Sequence, residues 1–221
     1  GSVAMWRDFP ENFCASIGRR GFVFSRPGYG RSTPRGAAER WAPDFMHRQA
    51  FDVLPAVLDA VGIAKPWLFG HSDGGSIALL HAARHPVAGV VAVAPHVFVE
   101  DISIASIEQA RVAYEATDLR ARLARHHDDV DSAFRGWNDI WLAPEFRDWN
   151  IEREIEGIDA PVLAIQGEDD EYGTLEQVRS VARHVRGARM VAIADCGHSP
   201  HRDQPAALIR EAGSFVAAIR A

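Results

Sequence analysis

A serine between two glycines is the strongest chemical signal in this sequence. The run GHSDGG, residues 70–75, follows the apolar residues 66–69 and precedes a stretch whose apolar residues have helical spacing. Ser72 therefore stands at a predicted strand-to-helix turn, where small residues at 70 and 74 permit the tight backbone that exposes a serine hydroxyl. A helix N-terminus beside it stabilises developing negative charge. The pattern predicts a nucleophile, with a helix N-cap as the simpler alternative.

A serine nucleophile needs a base and a carboxylate that orients the base, because a free hydroxyl reacts poorly at neutral pH. Residues 161–166 form a predicted strand followed by GEDDE, and residues 189–193 form another followed by ADCGHSPH. The carboxyl ends of parallel strands meet at one edge of a sheet, so an acid and His198 are expected near Ser72. The order serine, acid, histidine predicts a catalytic triad. Taken one at a time, the acidic segment and the histidine segment would each be interpreted as an ordinary polar loop.

Short apolar runs alternate with longer segments of helical spacing, which predicts an α/β fold with a mostly parallel sheet flanked by helices. The predicted strands are residues 21–25, 66–70, 89–94, 161–166 and 189–193. The predicted helices are residues 45–61, 74–84, 106–117, 119–126, 175–185 and 206–219. About 60 residues separate the third and fourth strands and show only helical patterns. We interpret residues 98–157 as a helical insertion into a core of residues 1–97 and 158–221.

Composition excludes several classes of protein. The chain has 221 residues, 47% of them hydrophobic and 24% charged, which is typical of a globular domain. Its net charge of -6 argues against nucleic acid as a partner, and the excess of acid lies in residues 101–156. No apolar run is long enough for a membrane span or a signal peptide, so we expect a cytoplasmic protein without a membrane partner. Cys14 and Cys196 are expected to be reduced thiols.

Three segments together resemble the α/β-hydrolase fold serine hydrolases that carry a helical lid. They are GHSDGG, the glycine-rich SRPGYGRS of residues 25–32, and GHSPHRDQP of residues 197–205. The resemblance covers nearly the whole chain and implies Ser72 as nucleophile and His198 as base. The family's acid usually lies three residues after the glycine that ends its strand, which implies Asp170, with Asp169 as the alternative. It also implies the amide of Asp73 as an oxyanion donor.

The resemblance fails at the start of the chain. The family's second oxyanion donor comes from a loop after its third strand, usually marked by a His-Gly pair, which is absent here. The opening GSVAMW resembles the end of that loop. We therefore expect the chain to lack the first strands of the fold, including one that would lie between the strands at 21–25 and 66–70. The aspartate that often begins the glycine-rich loop is Ser25 here.

The substrate pocket is predicted from histidines and aromatic residues. His71 adjoins the nucleophile, and His96 follows the third predicted strand. Trp137 and Trp141 are four residues apart and share a helix face in the insertion, which favours a partly apolar small-molecule substrate. The alternative is that these rings only pack the insertion. The adjacent His126 and His127 point in different directions on a helix, so no metal is expected.

The expected reaction is hydrolysis of a carboxylic ester, a lactone or a related acyl substrate through an acyl-enzyme, without a cofactor. Hydrolysis of a carbon-carbon bond uses the same fold and triad and is the enzymatic alternative. A non-catalytic or truncated hydrolase-like binding protein is the alternative from another class, favoured by the absent oxyanion strand. A serine at the elbow disfavours an aspartate nucleophile, and no dinucleotide fingerprint indicates an oxidoreductase. The sequence leaves the oligomeric state open, with a homodimer as the assembly to be considered.

Overall fold

A parallel sheet of four strands forms the centre of the computed structural model, which describes residues 1–36 and 38–219. The strands lie side by side in chain order: β1 (Trp67–His71), β2 (Gly89–Val93), β3 (Val162–Gly167) and β4 (Arg189–Ile193). Every residue of β2 and β3 is buried, as expected for strands covered on both faces. All strands are parallel, so their carboxyl ends share one edge of the sheet.

Four of the five predicted strands are present, each within one residue of its predicted ends. The strand predicted at residues 21–25 is wrong: in the described part of the chain these residues belong to no sheet. The segment has the apolar composition of a strand, yet a strand also requires a neighbouring backbone to bond with. Its Phe22 is 53% exposed, whereas the residues of a central strand are buried.

Helices flank the sheet and fill the long connection before β3. They are α1 (Phe9–Ile17), α2 (Phe45–Arg48), α3 (Leu54–Ala60), α4 (Asp73–Ala82), α5 (Asp101–Ala116), α6 (Leu119–Ala124), α7 (Val130–Trp141), α8 (Glu152–Ile155), α9 (Glu176–His184), α10 (Pro200–Asp203) and α11 (Pro205–Ala218). Short 3-10 turns occupy Val3–Trp6 and Pro144–Phe146. Among the described residues, none of these helices is long and apolar enough to cross a membrane.

The helix predicted at residues 45–61 is present but changes geometry in its middle. A π-helical turn at Gln49–Val53 separates α2 from α3, just before Pro55, which has no N–H to donate. The ring of the buried His81 donates its Nδ1 hydrogen to the carbonyl of Ala50, 2.8 Å away. A side chain thus satisfies a carbonyl of the irregular turn.

The chain divides into two compact units. One comprises Gly1–Pro43 and Asp101–Arg147, and the other comprises Asp44–Glu100 and Asp148–Ala221, which contains the whole sheet. Most of the predicted insertion, residues 98–157, falls in the first unit, and both of its ends fall in the second. Its action as a lid stays a prediction. Residues 37, 220 and 221 of the predicted core range lie outside the described residues.

The first unit has its own small core between helices α5, α6 and α7. The rings of Tyr114 and Phe134 stack with centroids 3.8 Å apart, beside Val130. The Tyr114 hydroxyl donates to Asp131, which also accepts two hydrogen bonds from Arg120. Burial and this bond raise the pKa of Tyr114 to about 12. These contacts give the helical segment a packed interior of its own.

Candidate active site

Ser72 occupies a sharp turn between β1 and α4. Its backbone has φ 55° and ψ -127°, a conformation that few residues other than glycine adopt. Its amide donates to the carbonyl of Val93 at 2.9 Å, which ties the turn to the end of β2. The first helical turn begins at once, because the amides of Gly75 and Ser76 both donate to the Ser72 carbonyl. The turn therefore holds its serine by backbone hydrogen bonds on both sides.

The small residues that the turn requires are Gly70 and Gly75. A Cβ at Gly70 would overlap the backbone carbonyl of Gly74, and a Cβ at Gly75 would lie 3.2 Å from the side chain of Pro95. A Cβ at Gly74 would meet nothing within 4 Å. The prediction that position 74 must be small is therefore wrong, because the helix starts immediately and points that position into open space. The prediction for Gly70 is confirmed.

His198 lies beside the serine in the histidine loop, which we define as residues 194–199 between β4 and α10. Its Nε2 is 3.0 Å from Ser72 Oγ. Its Nδ1 lies 2.9 Å and 3.1 Å from the two carboxylate oxygens of Asp170. An ionised carboxylate can only accept, so Nδ1 carries the hydrogen and Nε2 of the neutral ring is left to accept from the serine hydroxyl. Nucleophile, imidazole and carboxylate are in contact in that order.

Asp170 lies in the acid loop, which we define as residues 168–175 between β3 and α9. Its side chain is 1% exposed, whereas the neighbouring Asp169, the alternative candidate, is exposed. Besides His198, the Asp170 carboxylate accepts from the amide of Tyr172 at 2.8 Å and from Gln166 Nε2 at 3.1 Å. The structure thus brings Asp170, and not Asp169, to the histidine. A buried carboxylate needs this many partners, since an unpaired one would be costly.

Side chains hold the backbone of the histidine loop. The Gly197 amide donates to Asp203 Oδ2 at 3.2 Å, and the His198 amide donates to Glu171 Oε2 at 3.1 Å. His71 Nε2 lies 2.6 Å from the His198 carbonyl oxygen. Three elements therefore contribute to one short stretch of main chain: α10, the acid loop and the end of β1.

Both histidines predicted to line the substrate pocket lie next to His198. The ring centroids of His71 and His96 are 4.9 Å and 5.9 Å from that of His198. His96 Nε2 donates to the Tyr172 carbonyl at 3.2 Å. Desolvation by burial, with the nearby His198 as a second cause, lowers the pKa of both side chains. Both rings are therefore neutral near pH 7, and contact with a substrate stays a prediction.

The remaining predicted site residues are divided between the units. Asp73 is the first residue of α4, so its amide belongs to a helix N-terminus, where aligned peptide dipoles leave partial positive charge. Trp137 and Trp141 lie on α7 in the other unit, where Trp141 is 1% exposed and packs against Phe146 with ring centroids 5.0 Å apart. Trp141 is therefore a packing residue of its unit, and the pocket role of both tryptophans stays a prediction.

No metal or thiol chemistry is evident in the described residues. They contain no group of three or more His, Cys, Asp or Glu side chains placed to hold a metal ion. His127 accepts a hydrogen bond from the Gly30 amide at 2.9 Å. Cys14 and Cys196 are free thiols, and burial raises the pKa of Cys196 to about 11, far from that of a reactive thiolate.

Sequence reasoning missed three residues that support the acid and the base: Gln166, Glu171 and Tyr172. Gln166 carries a usable signal, since it is a polar residue at the end of an otherwise apolar buried strand, and such residues need partners. Glu171 is one of four consecutive acidic residues, and nothing in the pattern distinguishes it. Tyr172 contributes its backbone amide and a ring whose centroid is 4.7 Å from that of His198.

Comparisons with known proteins identify the family of the chain. The model of the family described as "Alpha/beta hydrolase family" matches residues 1–211. The 2-succinyl-6-hydroxy-2,4-cyclohexadiene-1-carboxylate synthase of Enterobacter sp. (strain 638) is 24% identical over 71% of this chain and 68% of its own length. Serine hydrolase BPHL of Homo sapiens is 28% identical over 79% of this chain, which spans only 61% of that protein.

Solved structures share the fold at low sequence identity. The enol-lactonase from Burkholderia xenovorans LB400 has a TM-score of 0.74 and 22% identity, with 98% of this chain and 87% of that chain covered. A thermophilic esterase from Thermogutta terrifontis has a TM-score of 0.74 and 17% identity, with 100% and 87% covered. Similarity at this level establishes the architecture and leaves the reaction to be argued from the site.

Proposed function

The chain belongs to the alpha/beta hydrolase family, and from that premise we propose that it is a serine hydrolase of carboxylic esters, lactones or related acyl compounds. One observation carries the proposal: His198 touches the Ser72 hydroxyl with one ring nitrogen and the buried Asp170 carboxylate with the other. A serine, an imidazole and a carboxylate in that order are the parts that convert a hydroxyl into a nucleophile.

Each member of the triad has a distinct role in the proposed reaction. Ser72 Oγ attacks the acyl carbon while His198 Nε2 accepts the hydroxyl proton, and that proton then goes to the departing alkoxide. Water then attacks the acyl carbon of the acyl-enzyme while His198 Nε2 accepts a proton from it. His198 returns that proton to Ser72 Oγ as the bond to the acid product breaks. Asp170 keeps the hydrogen on Nδ1 and stabilises the imidazolium that forms after each proton transfer.

The start of α4 supplies electrostatic stabilisation for the proposed intermediate. Negative charge develops on the carbonyl oxygen of the substrate when Ser72 attacks. The Asp73 amide, the first of the helix, is the proposed donor to that oxyanion, and the helix dipole acts in the same direction. A backbone donor that the fold already fixes in place needs no rearrangement as the charge appears.

The substrate is proposed to be a partly apolar small molecule. The names of relatives support an ester or lactone, since an enol-lactonase and an esterase share the fold. Hydrolysis of a carbon-carbon bond uses the same triad and stays the enzymatic alternative, as a binding protein without catalysis stays the alternative from another class. A cofactor-free reaction, a cytoplasmic location and a homodimer also belong to the proposal, and each requires its own test.

The proposal is tested by intact mass after incubation with a fluorophosphonate, which reacts with activated serines. We expect a single adduct on the native chain and none on Ser72→Ala. Ser76→Ala is the matched control, because Ser76 is a buried serine in the first turn of α4 whose hydroxyl donates to the His96 carbonyl at 2.6 Å. It should label like the native chain. A folded native chain without an adduct would contradict the proposal and favour the binding protein.

A panel of substrates then separates the two enzymatic alternatives. Short and medium acyl esters, a lactone and a vinylogous diketone are offered to the native chain and to Ser72→Ala. Turnover of an ester or lactone that disappears in the variant supports the proposed class. Turnover restricted to the diketone would support carbon-carbon bond hydrolysis in its place.

A further inference from the structure

Two adjacent residues, the last of β1 and the first after it, contact His198 at two places. Ser72 Oγ faces the imidazole Nε2, and the His71 ring faces the main-chain carbonyl of His198 at 2.6 Å. The first contact belongs to the proposed triad. The second has no part in proton transfer, and a general base needs no hydrogen bond at its own carbonyl. A short contact of this kind calls for an explanation.

The chemistry of the contact fixes the state of His71. A carbonyl oxygen can only accept, so Nε2 of His71 carries the hydrogen. Desolvation by burial, and then the neighbouring His198 and His201, lower the pKa of His71 well below 6.5. The ring is therefore neutral near pH 7, with its hydrogen committed to the His198 carbonyl. His71 acts as a fixed donor and is not a second base.

The contact matters because it acts on the main chain of the histidine itself. Side chains contact the backbone of Gly197 and His198: Asp203 and Glu171 accept from the two amides, Cys196 Sγ donates to the Gly197 carbonyl, and His71 donates to the His198 carbonyl. Two of them are carboxylates that hold the amides. His71 holds the His198 carbonyl, which sets the orientation of the peptide plane after His198 and, with it, the direction of the side chain.

We propose that His71 is a positioning residue, which aims His198 Nε2 at Ser72 Oγ by holding the His198 main-chain carbonyl. This inference rests on the proposed function of the triad. It assigns His71 a task different from substrate contact. Because residues 71 and 72 are adjacent, any movement of β1 carries the nucleophile and this support together, so the distance between Ser72 and His198 is preserved.

Three variants test the proposal. His71→Gln keeps an N–H donor at a similar reach from the backbone, whereas His71→Met has a side chain of the same length without a donor. His81→Met is the control, since His81 is a buried histidine of the same unit that also donates to a main-chain carbonyl, that of Ala50. It lies eight residues beyond Asp73 on α4, about 12 Å along the helix.

The measurement is the rate of fluorophosphonate labelling against its concentration, with thermal unfolding alongside. For His71→Met we expect the limiting rate to fall roughly 10- to 100-fold, as a displaced reacting group does, with an unchanged half-saturating concentration. His71→Gln should recover at least about 5-fold of that loss, the value of one hydrogen bond. His81→Met should unfold at a lower temperature and label at the native limiting rate.

Several outcomes would overturn the inference. Native rates in His71→Met would do so, as would a change confined to the half-saturating concentration, which would indicate contact with the probe. If His71→Met does not fold, His71→Asn replaces it, because the shorter amide cannot reach the His198 carbonyl. Equal limiting labelling rates for His71→Gln and His71→Asn would then contradict the proposal. A native chain without label overturns the proposed function, and this inference with it, before any variant is compared.

Discussion

The nucleophile turn and the histidine loop hold their catalytic groups by different means. Ser72 is fixed by backbone: its amide bonds to Val93, its carbonyl receives two amides of α4, and Gly70 permits the close approach. His198 is fixed by side chains that reach its amide, its carbonyl and its ring from other elements. A local motif suffices to build the first region, whereas the second exists only once distant residues have come together.

This difference predicts how each region fails. A side chain at the tightly packed Gly70 of the nucleophile turn must move backbone, so stability and activity should fall together. A change in the support of His198 removes one side-chain contact, so the rate should fall while the fold remains. The following predictions examine this difference, in order of decreasing expected effect.

The largest effect is expected from Asp170→Asn. An amide at this position can present a donor to His198 Nδ1 and favour the wrong tautomer, so the limiting labelling rate should fall by about 10³- to 10⁴-fold. Asp169→Asn is the matched control, because Asp169 is exposed and contacts the histidine loop through its backbone amide. Equal losses in the two variants would show that Asp170 has no special role.

Gly70→Ala should break the nucleophile turn. Its Cβ would overlap the backbone of Gly74, which cannot shift without moving the start of α4. We expect a loss of unfolding free energy of about 3 kcal/mol, together with most of the labelling. Gly74→Ala has open space and a helical backbone, so its unfolding free energy should be unchanged or higher by up to about 1 kcal/mol. Chemical denaturation measures both values, and similar losses in the two variants would contradict the account.

Gln166→Met should separate rate from stability in the acid loop. Gln166 Nε2 donates to Asp170 and to the Gly173 carbonyl, so its removal loosens the carboxylate that orients the base. We expect the limiting labelling rate to fall about 10-fold. Gln177 is also buried, but it bonds Val97, Phe98 and Glu100 and not the triad. Gln177→Met should lower the unfolding temperature and label at the native rate. A native labelling rate in Gln166→Met, or a slower one in Gln177→Met, would contradict this prediction.

The smallest effect concerns His127, which supports a loop in the other unit. Its Nδ1 accepts from the Gly30 amide, and burial lowers its pKa to about 4. A histidine with a lowered pKa stabilises the fold above pH 6.5, and this stability is lost as the pH falls towards 4. Since the ring is half-buried, solvent screening limits the loss to about 1 kcal/mol. His127→Asn keeps an acceptor without a titrating ring, so its stability between pH 6.5 and 4 should depend less on pH; unchanged dependence would contradict this assignment.

The sequence predicts the regions built from local rules. The motif around Ser72 and the apolar runs at β1 to β4 depend on neighbours in the chain, and both are present as predicted. An acid after β3 also follows from the local pattern, whereas the choice of Asp170 over Asp169 comes from the family resemblance. The strand predicted at 21–25 fails because pairing is not local: its composition is suitable, but a strand needs a second backbone.

What the sequence does not predict is the set of supports around the base. Glu171, Gln166 and the His71 contact depend on three segments separated by up to about 130 residues, and no spacing rule connects them. The tryptophans of α7 show the same limit. Their helical spacing correctly places them on one helix, but it cannot distinguish a pocket wall from a packing role; Trp141 is buried and packs against Phe146.

The most direct test of the central claim is to locate the fluorophosphonate adduct by peptide mass spectrometry in the native chain and in His198→Ala. The account predicts a single modified residue, Ser72, in the native chain and no modification of it in the variant over the same labelling time. Modification of another residue, or equal labelling of Ser72 without His198, would show that the serine, the histidine and the acid do not act as one catalytic unit.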